Sequence, residues 1–326
     1  MEKRRFFVLS VLISLYALQM QAQWDAPFNQ FWAVKPFYNP SFAGETEKIQ
    51  ASAIYRYQWA GIESAPNKML LSANMPFEFF GMRHGMGVLT YSENVGYVRN
   101  SLLAAQYTLK TKLGKGYFNA GLQAGFYDLN FDAGNIRFFN DSTKNNLTTV
   151  KVNPTDKQVL DISAGISYTG KKFFAGASAV HINEPTFFAV NDSLSNVDIQ
   201  SDSALTKIPR SYNFMAGYNI TLPNPLFEIQ PMVFVQSDLS YTRVQATLRA
   251  VYKKQFSGGA SWVKDDGFVF FAGSVIQGVE AGYAYNWHTA GPRKSSKGSH
   301  EAYVRYQFPL DIFKEKRAPH KSIRLL

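Results

Sequence analysis

From residue 49 to residue 308 apolar and polar positions alternate in short blocks. In residues 278–288, Val279, Ala281, Tyr283, Tyr285 and Trp287 fall on one face of an extended strand, and Glu280, Gly282, Ala284, Asn286 and His288 on the other. Side chains alternate across a strand, so the segment has one apolar face and one polar or small face. The same period recurs in residues 49–59, with Ala51, Ala53, Tyr55 and Tyr57 opposite Gln50, Ser52, Arg56 and Gln58. It recurs in residues 117–126, 159–168, 212–222, 243–252 and 300–308. Residues 69–77 show its apolar face, while 84–93, 100–109, 173–182, 227–235, 256–264 and 268–275 follow it with varying regularity. The pattern predicts about fourteen strands of roughly ten residues, the length a tilted strand needs to cross a bilayer.

The connections narrow the architecture. Residues 170–172, 223–225, 253–255 and 277–278 are short, whereas 60–66, 130–157, 183–210 and 289–299 are long. Short and long are read as alternating strictly through the second half. A soluble sandwich has no reason to sort loop length by end; a membrane barrel has tight periplasmic turns and longer outer loops. The predicted fold is all-β: a closed transmembrane antiparallel β-barrel of about fourteen strands over residues 48–309, in the outer membrane of a Gram-negative bacterium. An even strand count puts both termini on the short-turn, periplasmic side.

Composition changes the picture at the ends of the chain. Residues 1–5 are basic, 6–18 are an apolar run, and 19–22 offer a cut after Ala22, which reads as a signal peptide over residues 1–22. The apolar run is too short to span a membrane comfortably as an anchor. Mean hydropathy is −0.20, and no other stretch suits a spanning helix. Residues 23–47 are rich in aromatics, among them Trp24, Phe28, Trp32 and Phe42, and read as a segment packed in the mouth or lumen of the barrel rather than an exposed arm. Residues 310–326 form a basic periplasmic tail. The chain holds no cysteine, which excludes disulfides and zinc–cysteine sites.

Formal net charge is +10, but no nucleic-acid motif accompanies it. Catalytic elbows, zinc motifs and phosphate loops are absent from the sequence, so no catalytic, metal or cofactor site is assigned. His288 and His300 could approach across the last hairpin, though independent rim histidines are the plainer reading. A Ser–His pair inside a barrel would make an enzyme, but nothing in the sequence fixes one. Charges facing lipid are expensive, so Arg56, Arg243, Arg249, Glu280, Glu301 and Arg305 are expected to point into the lumen, bracing the wall or lining a pore. Lys171, Lys172, Lys253 and Lys254 in short turns, with Lys314, Lys316 and Arg317 in the tail, are candidates for docking an acidic partner.

Residues 38–44, Tyr38-Asn39-Pro40-Ser41-Phe42-Ala43-Gly44, followed by Tyr55-Arg56-Tyr57-Gln58-Trp59 and Pro66, resemble the PorP/SprF family of type IX secretion system outer-membrane proteins. Gly85-Met86-Gly87, Glu93-Asn94-Val95-Gly96, residues 281–286 and Ser299-His300-Glu301 extend the match. The motif positions are thus Tyr38, Asn39, Pro40, Gly44, Trp59, His300 and Glu301. Asn286 stands where the family often has Asp, and the basic tail continues past the usual end. The resemblance implies a non-enzymatic barrel that works with periplasmic ring and motor proteins and with exported adhesin-type proteins; some members of the family serve secretion and surface attachment of adhesins used in gliding. Outer-membrane lipid is its surroundings, with no nucleic acid or small-molecule substrate. The alternatives are a general porin or small-solute channel, and a barrel enzyme.

Overall fold

The computed structural model describes residues 27–96, 98–131, 158–188, 204–291 and 295–310. The strands are β1 (Lys48–Tyr57), β2 (Asn67–Phe79), β3 (Met82–Val95), β4 (Val98–Leu113), β5 (Gly116–Phe131), β6 (Val159–Thr169), β7 (Phe173–Val180), β8 (Thr186–Phe188), β9 (Ala204–Lys207), β10 (Ser211–Tyr218), β11 (Ile220–Thr221), β12 (Phe227–Ser237), β13 (Thr242–Tyr252), β14 (Phe256–Val263), β15 (Gly267–Ile276), β16 (Val279–His288) and β17 (Ser299–Pro309). β8 and β9 form a separate hairpin, and β10 and β11 share one stave interrupted at Asn219. The remaining staves pair antiparallel in sequence order. β1 joins β17 and β10 joins β12, so a fourteen-stranded sheet closes on itself.

Closure leaves no open sheet edge, which is what a strand protein needs where no water can satisfy its backbone. The faces are inverted relative to a soluble protein. Leu71, Val88, Leu103, Leu122, Leu248 and Val304 are exposed on the outside, while Gln50, Asn119, Gln123, Ser163, Asn213 and Gln245 are buried inside. Aromatics flank the aliphatic belt: Phe79, Phe173, Phe227 and Phe308 near one end, and Tyr55, Trp262, Phe268 and Trp287 near the other. An apolar band between aromatic girdles is the outer surface of a lipid-embedded barrel.

Both ends of the wall, the start of β1 and the end of β17, lie at the end where every connection is short, Phe80-Gly81 and Gln277-Gly278 among them. These two-residue turns hold φ of +51° and +69°, and of +51° and +83°, the left-handed pairs that match hairpin twist. The sorting of loop length by end is weaker than the sequence suggests. At the opposite end Val95 pairs Val98, Ser237 pairs Thr242 and Val263 pairs Gly267, so three connections there are also tight. Asp238 accepts from the backbone amides of Ser240 and Tyr241, closing the second of them locally.

Residues 27–44 lie inside the barrel, with Phe28, Phe31, Tyr38 and Phe42 buried against Tyr91, Phe234 and Phe174. The Pro27 carbonyl accepts from Arg56, one residue from the long-loop end of β1. From Pro27 the internal segment therefore runs from the long-loop half of the lumen down to Lys48. The expected placement of the N-terminal segment on the short-turn side holds only for the start of β1, because the polar partners of residues 27–30 sit at the other end. The leader over 1–22, Trp24 and the tail with Lys314, Lys316 and Arg317 lie outside the described residues.

Candidate functional site

The inner wall carries a row built to receive the internal segment. Gly85, Thr108, Gly121, Gly165, Ser178 and Asn213 are successive register partners from β3 to β10. Residues 38–44 run across this row. Thr108 donates to the Pro40 carbonyl at 2.7 Å; Ser178 and Asn213 donate to the Tyr38 carbonyl at 2.6 and 3.1 Å. Between these donors the glycines give room: a Cβ on Gly85 would meet Ala43 O at 2.0 Å, on Gly121 Ser41 N at 2.3 Å, and on Gly165 Asn39 Oδ1 at 2.2 Å. Glycine thus lets the wall approach the segment closely, backbone to backbone at Gly85 and Gly121 and against the Asn39 side chain at Gly165.

The segment is also tied by its own turns. Asn39 Oδ1 accepts from the Ser41 amide at 3.0 Å, and its amide group donates to Ile166 O and Ala177 O. Ser41 Oγ bonds Ser167 Oγ at 2.8 Å. Gly44, at φ +62°, donates to Asn74 Oδ1 at 3.0 Å, and Lys110 donates to its carbonyl. The motif positions Tyr38, Asn39, Pro40 and Gly44 are therefore the residues that dock the segment.

Three ionic clusters hold the lumen. Glu301, fully buried, accepts from the backbone amides of Asn29 and Gln30 at 2.7 and 2.8 Å and faces Arg56 at 3.6 Å. Glu280 joins Arg249 at 3.1 Å, Arg305, and the Tyr303 hydroxyl at 2.6 Å. Arg243 lies 3.6 Å from Asp266, which also pairs with His288 and accepts from Asn286 at 2.9 Å. Sequence reasoning named most of these residues but missed Asp266, and the pairs Lys68–Glu93 at 3.3 Å and Asp161–His181 at 2.7 Å. The inward parity of Lys68 beside outward Met69 carried that signal for β2. Asp266 sits in a turn, where no parity applies.

Asp266, His288 and Ser299 stand in the order of a nucleophile-activating relay, with His288 Nε2 2.7 Å from Ser299 Oγ. Ser299 is 0% exposed, and its hydroxyl oxygen already accepts from the Trp59 amide at 2.9 Å. No acyl group can reach it, so the cluster is a latch joining the loops at the long-loop end. His300 faces outward between Tyr283, at 2.5 Å, and Tyr285. It is therefore on the opposite face from His288, and the two histidines stand apart, in line with the plainer of the two readings. Among the described residues no His, Asp and Glu are grouped to hold a metal ion.

At the short-turn end the lumen opens into a cavity of ≈ 620 Å³. Trp32 and Phe42 of the internal segment line it, together with Lys35, Arg249 and Arg305. Lys35 pairs with Glu45 at 2.5 Å and lies 4.2 Å over the Phe174 ring. Lys115, Lys171 and Lys172 line the cavity from exposed turns, whereas Lys253 and Lys254 are exposed outside it.

Among solved structures, the chain resembles the CymD monoaromatic hydrocarbon channel at 12% identity and TM-score 0.51, over 88% of this chain and 94% of that one. It resembles the Acinetobacter baumannii outer membrane protein Omp33 at 8% identity and TM-score 0.45, over 81% and 100%. The Ralstonia pickettii toluene transporter TbuX is 10% identical with TM-score 0.45, over 84% and 92%. At 12% identity the likeness to CymD is one of barrel fold alone. No curated protein matches the chain. The sequence pattern of the family described as type IX secretion system membrane protein PorP/SprF matches residues 20–306, nearly the whole barrel and the internal segment. The chain belongs to the PorP/SprF family of type IX secretion system membrane proteins.

Proposed function

We propose that this chain is a non-enzymatic, plugged outer-membrane barrel of the type IX secretion machine, which anchors periplasmic ring or motor proteins and supports export or surface attachment of adhesin-type proteins. The observation that carries this reading is the occupied lumen: residues 27–44 are held by a register row and by the buried Glu301 carboxylate. A barrel of this size without such a segment lies just below the sixteen to eighteen strands that leave an aqueous channel. Filled, it serves as a rigid membrane mount. The short-turn end faces the periplasm, and the leader over residues 1–22 is removed near Ala22. Lys171, Lys172, Lys253 and Lys254, with the tail lysines, present positive charge to acidic periplasmic partners.

Two measurements test the reading together. Affinity purification from native membranes is expected to recover periplasmic ring or motor proteins, or an exported adhesin-type protein. Planar-bilayer recordings of the full-length protein are expected to show no large steady currents. Steady porin-like conductance without co-purifying secretion proteins would make the chain a channel instead.

A further inference from the structure

We infer that the cavity at the short-turn end is a receptor for an extended, acidic peptide segment of a protein partner; this rests on the secretion reading above and names the site through which it acts. The volume, ≈ 620 Å³, falls among those of ligand pockets, about 300–1,000 Å³. Its charge is one-sided. Lys35, Lys115, Lys171, Lys172, Arg249 and Arg305 line it, six cations against the lining carboxylates Glu45 and Glu47 and the adjoining Glu280. Those three carboxylates are already engaged: Glu45 by Lys35, Glu47 by Arg83 at 2.9 Å, and Glu280 by both arginines. Lys115, Lys171 and Lys172 enter no ion pair among the described residues, and they stand at the mouth.

The chemistry of the walls selects the occupant. The floor is aromatic, from Trp32, Phe42 and Phe174, and the mouth is cationic. A segment with both carboxylates and apolar side chains satisfies the two together. An acyl chain does not fit, because the cavity lies inside the barrel among polar lining groups such as Gln50, Asn74, Gln230 and Gln307, walled off from the lipid face. The site is recessed, so a flexible chain end reaches it and a folded domain does not.

The test uses the purified full-length barrel in neutral detergent and a fluorescent peptide of alternating aspartate and phenylalanine, with a counterpart in which lysine replaces aspartate. The acidic peptide is expected to bind, more weakly as salt rises, and the basic one not to bind. K115E/K171E/K172E should weaken the acidic peptide by about tenfold or more, a combined effect of three exposed charges. K207E/K264E, which reverses two exposed lysines at the long-loop end, away from the cavity, should change binding less than twofold. Heat-modifiable gel mobility checks that each variant folds. Equal affinity for both peptides, or equal loss in both variants, overturns the proposal. So does loss of peptide binding in phosphatidylglycerol nanodiscs but not in phosphatidylcholine ones, which would assign the lysines to lipid headgroups. In cells, normal export by the triple variant with failed export on deletion of the chain overturns the inference and leaves the secretion role standing. Normal export after deletion overturns that role itself.

Discussion

Glu301 carries two jobs at one carboxylate. It accepts from the amides of residues 29 and 30 and balances the buried Arg56 guanidinium. Glu301→Gln leaves that cation without its counter-charge, and breaking a buried pair from one side costs about 3–5 kcal/mol. The variant is expected to unfold at a clearly lower temperature by heat-modifiable gel mobility. Removing both charges, as Arg56→Met with Glu301→Leu, should recover only part of the loss, because two buried amides remain without an acceptor. Glycine gives a second test. Gly121→Ala places a Cβ 2.3 Å from Ser41 N, whereas Gly258→Ala meets nothing closer than Phe271 O at 3.5 Å. Gly121→Ala should loosen the internal segment, an overpacking cost of about 1–3 kcal/mol, and raise bilayer conductance. Gly258→Ala should leave conductance unchanged; equal behaviour of the two would mean that the glycine row does not hold the segment. The sequence exposes Gly121 only as a small residue on the lumen parity of β5. What makes it glycine is Ser41, eighty residues away in the chain, and no local period reports that contact.

The strands were legible because each repeats a period of two, and Arg56, Arg249, Glu280 and Arg305 fell inside by parity alone. Their lengths were less so: β4 and β5 each run sixteen residues. The alternation is read only to Leu109 in β4 and to Phe126 in β5, because charged and polar residues follow at 110–112 and at 128 and 130, while the pairing continues to Leu113 and Phe131. The turns were hardest, since 238–241 and 264–266 carry no hydrophobic period. The second of these supplies Asp266 to the latch with His288 and Ser299. Burial pushes the Asp266 carboxyl up, but the hydrogen bond from His288 and the charge of Arg243 more than offset it, so it sits below the usual range. A carboxyl depressed on folding contributes stability that is present above its unfolded pKa, about 4, and is lost as pH falls through the folded value. Asp266→Asn should therefore unfold at a lower temperature than the wild type at neutral pH. The gap between the two should close as pH falls below about 4, the unfolded value. A gap that persists undiminished at low pH would show that the carboxylate charge is not what secures the latch.

At the scale of the whole molecule, the two ends of the barrel are different surfaces, and the proposed role depends on which faces the periplasm. The short-turn end carries the cationic cavity and the exposed lysines of three turns, Lys115, Lys171 with Lys172, and Lys253 with Lys254. The opposite end holds the Asp266 latch and the exposed Leu239 at the tip of a tight turn. The longest connections all leave the opposite end, although tight ones share it, and under the proposed role the short-turn end faces the periplasm. The chain has no cysteine, so single introduced thiols report orientation without background. Leu239 is 81% exposed, and Lys171 is exposed in a three-residue turn; neither side chain forms part of the core. Leu239→Cys should react on intact cells with a maleimide that cannot cross the outer membrane. Lys171→Cys should react only after the membrane is permeabilised. The reverse pattern would put the cationic cavity on the cell surface, out of reach of any periplasmic ring, and would end the proposed docking role while leaving the barrel fold untouched.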